Sequence, residues 1–221
     1  MKYFIFLLFS LFLSSNSFNL RSTKQTYDSY VFALEWTNGY CQINSCPVDI
    51  DELEPNIFNI HGLWPSLKSG KMLNPCTSGV TIKERKSQLF IDLRKYWPSF
   101  KGEYTDFWEH EYNKHGYCMV EEYNWNGYEE YFKFVLNLYL SEYKDLMKKA
   151  FDNDDTSRKL YTITFEDMKQ RIQNIIKKAT FKMNCSKGFI YEFYFYLNKD
   201  LTPSTDSRFR NDCKSGKFIF K

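Results

Sequence analysis

Histidine is scarce in this chain, with three in 221 residues, and no two cysteines are spaced C-x-x-C. The second absence argues against a cysteine zinc site. Past the N-terminal stretch no apolar run is long enough to span a bilayer. No internal repeat, low-complexity tract or Pro/Gly-rich linker appears, with only 9 Gly and 6 Pro in all, so one domain is the economical reading. A strong excess of one charge is also lacking. Removing Lys2 with the leader described below leaves 29 basic against 27 acidic residues, a net of +2. Long-range electrostatics alone would therefore not make this a strong nucleic-acid binder.

Aromatic residues are abundant, at 19% of the chain within a hydrophobic content of 43%, which is ample material for a core. The first seventeen residues, MKYFIFLLFSLFLSSNS, carry one Lys, a short apolar core and then Ser15 and Ser17 at small-residue positions. This pattern predicts a secretory signal peptide over 1–17, cut before Phe18, with the mature domain over 18–221 and no membrane attachment after cleavage. Six cysteines follow: Cys41, Cys46, Cys76, Cys118, Cys185 and Cys213. An even count behind a leader predicts disulfides in an oxidising compartment. Sequence alone leaves the pairing open. Closeness along the chain favours Cys41–Cys46 and Cys185–Cys213, which leaves Cys76–Cys118.

The periodicity predicts an α+β fold, a central antiparallel sheet with several packed helices, stapled by disulfides. Residues 28–36, DSYVFALEW, read as a strand with Tyr30, Phe32, Leu34 and Trp36 on one face. Residues 56–61 read as a second strand, ending at Gly62, with Asn59 and His61 sharing a face. Thr81 and Glu84 have capping-box spacing for a helix closed by Pro98. Further helices are expected around 106–115, over 128–150 and over 164–179. Residues 188–198 read as a central strand, and the terminal GKFIFK as a short one.

Residues 107–118, FWEHEYNKHGYC, hold two of the three histidines and narrowly miss H-E-x-x-H. His110 and His115 are five apart and diverge by about 140° around a helix. Zinc chelation needs i, i+4, about 40° apart, so the extra residue spoils the chelate, and no metal or other cofactor is expected. The same arithmetic places His110, Lys114, Glu111 and His115 on one arc, with Phe107 and Trp108 also on it and Tyr112 and Asn113 turned away. The third histidine, His61, lies in FNIHGLWP at 58–65, beside Gly62 and the stacking surface of Trp64.

FNIHGLWP and FWEHEYNKHGYC resemble the two active-site segments of the ribonuclease T2 family, in that family's order. YVFALEWTNGYC at 30–41 is similar to its N-terminal strand, and Cys76, Cys118, Cys185 and Cys213 match the positions of its two core disulfides. The resemblance implies an endoribonuclease that cleaves single-stranded RNA through a 2′,3′-cyclic phosphate and leaves DNA, which lacks the nucleophile, uncut. It implies His115 as general base, His61 as general acid, Glu111 and Lys114 supporting the transition state, His110 on the phosphate and Trp64 stacking a base. Many members carry Asp where this chain has Ser66, so weak base specificity is expected. Many have Trp where Tyr112 stands, and a further family cysteine is absent in the region of Leu197. A monomer in the secreted or endolysosomal lumen is expected. The alternative is a secreted recognition or signalling protein on the same scaffold without catalysis. One acceptor sequon, Asn184-Cys185-Ser186, has a central Cys expected to be bridged, which would slow glycosylation.

Overall fold

A computed structural model describes residues 26–46, 53–69, 73–152, 160–205, 211 and 213–220. The leader expected over 1–17 lies outside the described residues. The elements run β1 (Ser29–Glu35), α1 (Thr37–Ile43), β2 (Asn59–Ser66), α2 (Gln88–Tyr96), α3 (Tyr104–Lys114), α4 (Val120–Tyr123), α5 (Tyr128–Leu138), α6 (Leu146–Ala150), β3 (Leu160–Thr164), α7 (Phe165–Ile175), β4 (Thr180–Ser186), β5 (Phe189–Asn198) and β6 (Ser215–Ile219). The strands form one six-stranded sheet in the order β2-β1-β5-β6-β3, with β4 also paired to β5. Every ladder is antiparallel except the short β5/β6 contact at Phe189 and Lys217, which is parallel. The α+β architecture is as expected from the periodicity.

β1 is buried along its whole length because both of its faces are covered. Tyr30, Phe32 and Leu34 enter an aromatic core with Phe58, Phe193 and Phe195, while Ser29, Val31, Ala33 and Glu35 face the other way. β2 runs on past Gly62 to Ser66, further than the sequence pattern indicates. Pro65 is tolerated because β2 ends the strand order and so lies at the sheet edge.

Two helix expectations are corrected. Thr81 and Glu84 do not cap a helix: α2 begins at Gln88 behind Ser87, and Glu84 instead takes Arg94 through two bonds of 2.6 Å. The stretch 128–150 is not one helix. A π-helical turn over Tyr139–Tyr143 separates α5 from α6. Tyr139, Tyr143, Leu146 and Met147 are all buried, and the Tyr139 hydroxyl donates to the Phe58 carbonyl. α7 begins where expected, with the Thr164 hydroxyl accepting from the Asp167 N–H at 3.1 Å, but closes at Ile175.

The three disulfides are Cys41–Cys46, Cys76–Cys118 and Cys185–Cys213, the pairing that closeness along the chain favours. Among the described residues no helix is long and apolar enough to cross a membrane.

Candidate active site

The site lies where α3 meets the face of β2, β1 and β5 that carries Trp64, Glu35 and Glu192. Its construction begins with a defect in a ladder. Ala33 pairs with Gly62 and Leu34 with Ile60, so His61 is one residue too many. Side chains alternate along a strand, so His61 and Trp64, three apart, would point to opposite faces. The bulge absorbs one residue and turns both to the same face. Their rings meet edge to face at 5.0 Å.

Core groups hold the bulge in place. The Trp97 indole N–H donates to the His61 carbonyl at 2.8 Å, and the Trp108 indole N–H donates to the Trp97 carbonyl at 2.8 Å. The Tyr131 hydroxyl donates to the Leu63 carbonyl at 3.3 Å. Trp108 is thus a core residue, and its place on the predicted arc with the ionisable groups is corrected. Tyr112 is buried beside Tyr131, as its position facing away from the site requires.

α3 contributes Glu111, Lys114 and, just past its last turn, His115. Glu111 is buried, and its Oε2 accepts the Trp64 indole N–H at 2.8 Å. Its Oε1 stands 3.8 Å from His61 Nε2. Gly62 makes this approach possible: a Cβ there would lie 2.1 Å from Glu111 Oε2. The neighbour that the glycine admits is therefore the side chain of Glu111. His115 leaves helical geometry at φ −124°, and its ring stacks on Trp64 at 5.2 Å between centroids. The Cys76–Cys118 bridge and the bond from the Cys76 N–H to the Lys114 carbonyl, 3.2 Å, fix this end of α3. His110 and Lys114 are exposed on the same helix, and Phe107 reaches His61 at 5.7 Å. The structure thus brings His61, Trp64, Glu111 and His115 into contact around Trp64, with His110 and Lys114 at the rim.

Two acidic residues were missed by sequence reasoning. Glu192 on β5 meets His61 Nδ1 at 2.6 Å, and Glu35 on β1 lies 3.7 Å from the same atom. A signal was available: each is the one charged residue in an apolar strand, YVFALEW and FIYEFYFY. Such a residue, buried without an obvious partner, points to a site. One atom each from Glu35, His61 and Glu192 lies within 4.8 Å of the others, a spacing a divalent cation would accept. The short Glu192–His61 bond accounts for the closeness without one.

The two inner imidazoles are pushed in opposite directions. Burial would lower His61, but the hydrogen bond to Glu192 and the charges of Glu35, Glu111 and Glu192 outweigh it and carry it up to about 10. Burial, then the charges of Lys114, His110 and His61, push His115 down to about 3. Burial raises Glu111 and takes Glu35 up to about 7. His110 is lowered, by burial first and then by Lys114 and His61. The surroundings thus favour the charged form of His61 and the neutral form of His115.

An acid–base site of this kind on a disulfide-stapled α+β sheet defines a class of protein, and comparison with known proteins places the chain within it. The profile of the ribonuclease T2 family matches residues 27–213, and the chain belongs to that family. It is 31% identical over 209 residues to Ribonuclease Rh of Rhizopus niveus, covering 85% of this chain and 80% of that one. With Ribonuclease 3 of Arabidopsis thaliana it shares 35% identity over 135 residues, and the match spans 59% of each. The crystal structure of RNase NT in complex with 5′-AMP superimposes with a TM-score of 0.70 at 24% identity, covering 89% of this chain and all of that one, so the two share a fold.

Proposed function

We propose that the chain is an endoribonuclease that cleaves single-stranded RNA by internal transfer to a 2′,3′-cyclic phosphate. The observation that carries this reading is the cluster itself, with His61 Nε2 at the Glu111 carboxyl and His115 stacked on the Trp64 ring whose indole N–H bonds the same carboxyl. His115 would take the proton from the 2′-hydroxyl, whose oxygen attacks phosphorus. The bond to the 5′ oxygen would break, and that oxygen would leave with the proton from His61 Nε2. Lys114 would sit beside the growing charge on the phosphoryl oxygens, with Glu111 in support and His110 on the ground-state phosphate. Trp64 would offer its free ring area to a base.

Weak base specificity is read from the family pattern, since Ser66 stands where many members carry Asp. Ser66 is buried at the end of β2, and its hydroxyl has no hydrogen-bond partner among the described residues. Three disulfides favour a secreted or endolysosomal lumen for the mature domain, here read as a monomer.

The reaction test is RNA and DNA incubated with mature protein in EDTA from pH 4 to 8. RNA cleavage with cyclic phosphate ends, and intact DNA, are expected. His61→Ala and His115→Ala should each lower kcat by roughly 10²- to 10⁴-fold with all three disulfides formed. An inactive wild type, or His115→Ala at near-full rate, would sink the reading. Sequencing of secreted material should begin at Phe18.

A further inference from the structure

Neither the reaction just proposed nor the family match gives a role to Glu192 or to the sequon at Asn184. Geometry joins them. Asn184 on β4 and Glu192 on β5 are direct cross-strand partners. The Asn184 side-chain amide donates to Glu192 Oε2 at 3.3 Å, and Glu192 Oε1 meets His61 Nδ1 at 2.6 Å. The far ring nitrogen of His61 then faces Glu111 at 3.8 Å. We propose that Asn184 and Glu192 are positioning residues that hold the His61 ring with Nε2 toward the reacting atoms, and that Asn184 serves as a free amide and carries no glycan. The activity part of this inference rests on the ribonuclease reading above. The part that concerns ring geometry does not.

The chemistry of the groups fixes the direction of the chain. A carboxylate only accepts, so His61 must present Nδ1–H to Glu192, and Asn184 must turn its nitrogen, not its oxygen, toward the other carboxylate oxygen. With Nδ1 so engaged, the proton available for transfer is the one on Nε2. Strand pairing gives the chain its stiffness. Glu192 is 4% exposed and sits at the junction of two ladders, opposite Asn184 on β4 and opposite Glu35 on β1. The Cys185–Cys213 bridge anchors the residue after Asn184. The nitrogen that a glycan would take is the one that already bonds Glu192, at a half-buried position, so a glycan would have to displace that bond.

Several charged groups act on His61 and must be held constant in the comparison. Glu35 faces it from β1, Glu192 from β5 and Glu111 from α3. His110, Lys114 and His115 add positive or neutral groups from α3 and its end. Tyr194, Tyr191 and Tyr40 lie around the Glu35–Glu192 pair.

A chain with three histidines suits the decisive experiment, ¹⁵N-histidine NMR of the intact mature protein. In the wild type, His61 should show Nδ1 protonated throughout, with a titration well above the other two rings. Glu192→Gln keeps the size and an acceptor but removes the charge. It should lower the His61 titration by more than one pH unit and kcat by about 10- to 100-fold, the scale seen when partners behind a functional His are altered, with KM within about twofold. Asn184→Ala should move both quantities in the same direction by less. Intact mass of protein secreted from a eukaryotic host should show Asn184 unmodified. A His61 titration unchanged in Glu192→Gln, with kcat within about threefold, would overturn the proposal, as would a fully glycosylated Asn184 in fully active protein. If the wild type cleaves no RNA, the ribonuclease reading fails, while the NMR titration of Glu192→Gln still decides the positioning chain.

Discussion

Replacing Gly62 by Ala tests how tightly the site is built. The added methyl would stand 2.1 Å from Glu111 Oε2 and 2.4 Å from Trp64 Nε1. Ordinary contact to carbon needs about 3.5 Å, so the carboxyl must retreat by over about 1 Å. Its 2.8 Å bond from the Trp64 indole N–H then exceeds hydrogen-bonding range. Backbone strain does not enter, because Gly62 is absent from the positive-φ residues and Ala suits a strand slightly better than Gly. The loss includes that hydrogen bond to a carboxyl group, worth about 1.5–3 kcal/mol, and a displacement of the Trp64 ring, which the methyl would meet at 2.4 Å. If that support is made only in the transition state, kcat falls by about 10- to 150-fold. Steady-state kinetics on a short RNA, with thermal melting in parallel, would show a drop in kcat beside a fall in Tm of several degrees, about 2–4 °C for each kcal/mol lost. Glu111→Asp, which withdraws the carboxyl by about one methylene, should recover part of the rate when combined with Gly62→Ala. A Gly62→Ala variant within twofold of wild type would refute the argument, since the close approach would then have no bearing on the reaction.

Two further outcomes concern stability. Burial raises Glu35 to about 7 from its unfolded value of 4.5, so the folded state binds the extra proton between those pH values and loses stability as pH rises through them. Glu35→Gln should therefore raise Tm by several degrees at pH 8 and change it little at pH 4, with an upper bound on the order of 3 kcal/mol; equal shifts at both pH values would contradict this. Breaking Cys76–Cys118, which closes a separation of 42 residues, should cost about 4 kcal/mol in denaturant unfolding, and a loss under about 1 kcal/mol would show that the loop is constrained by other means.

Much of the site was legible because its parts are local. His110, Glu111, Lys114 and His115 lie within six residues, and helical geometry alone groups them. FNIHGLWP is equally compact. What escaped the sequence depends on strand pairing. Glu35, Asn184 and Glu192 come from three segments, and only the ladders bring them to His61. Period-2 alternation also placed the end of β2 at Gly62, since it has no means of anticipating a bulge whose partner lies on β1. The helix errors have a similar origin. Glu84 sits three residues after Thr81 as a cap would, but Arg94, one helix away, claims its carboxylate. The break after Leu138 left no mark in the sequence, because Tyr139, Tyr143, Leu146 and Met147 keep the i, i+4, i+7, i+8 spacing of an ordinary helix face.

The indole bonds under His61 bear on how this molecule would lose activity. Trp108 holds Trp97, and Trp97 holds the backbone of the bulge that aims the imidazole. Both tryptophans are fully buried, so this support cannot loosen while the core stays packed. The amides of residues 60–64 that bond to β1 should accordingly exchange by global unfolding, with no cheaper local opening. On heating, RNA cleavage and the aromatic core would vanish in one transition, and a partly melted but still active form would not be populated.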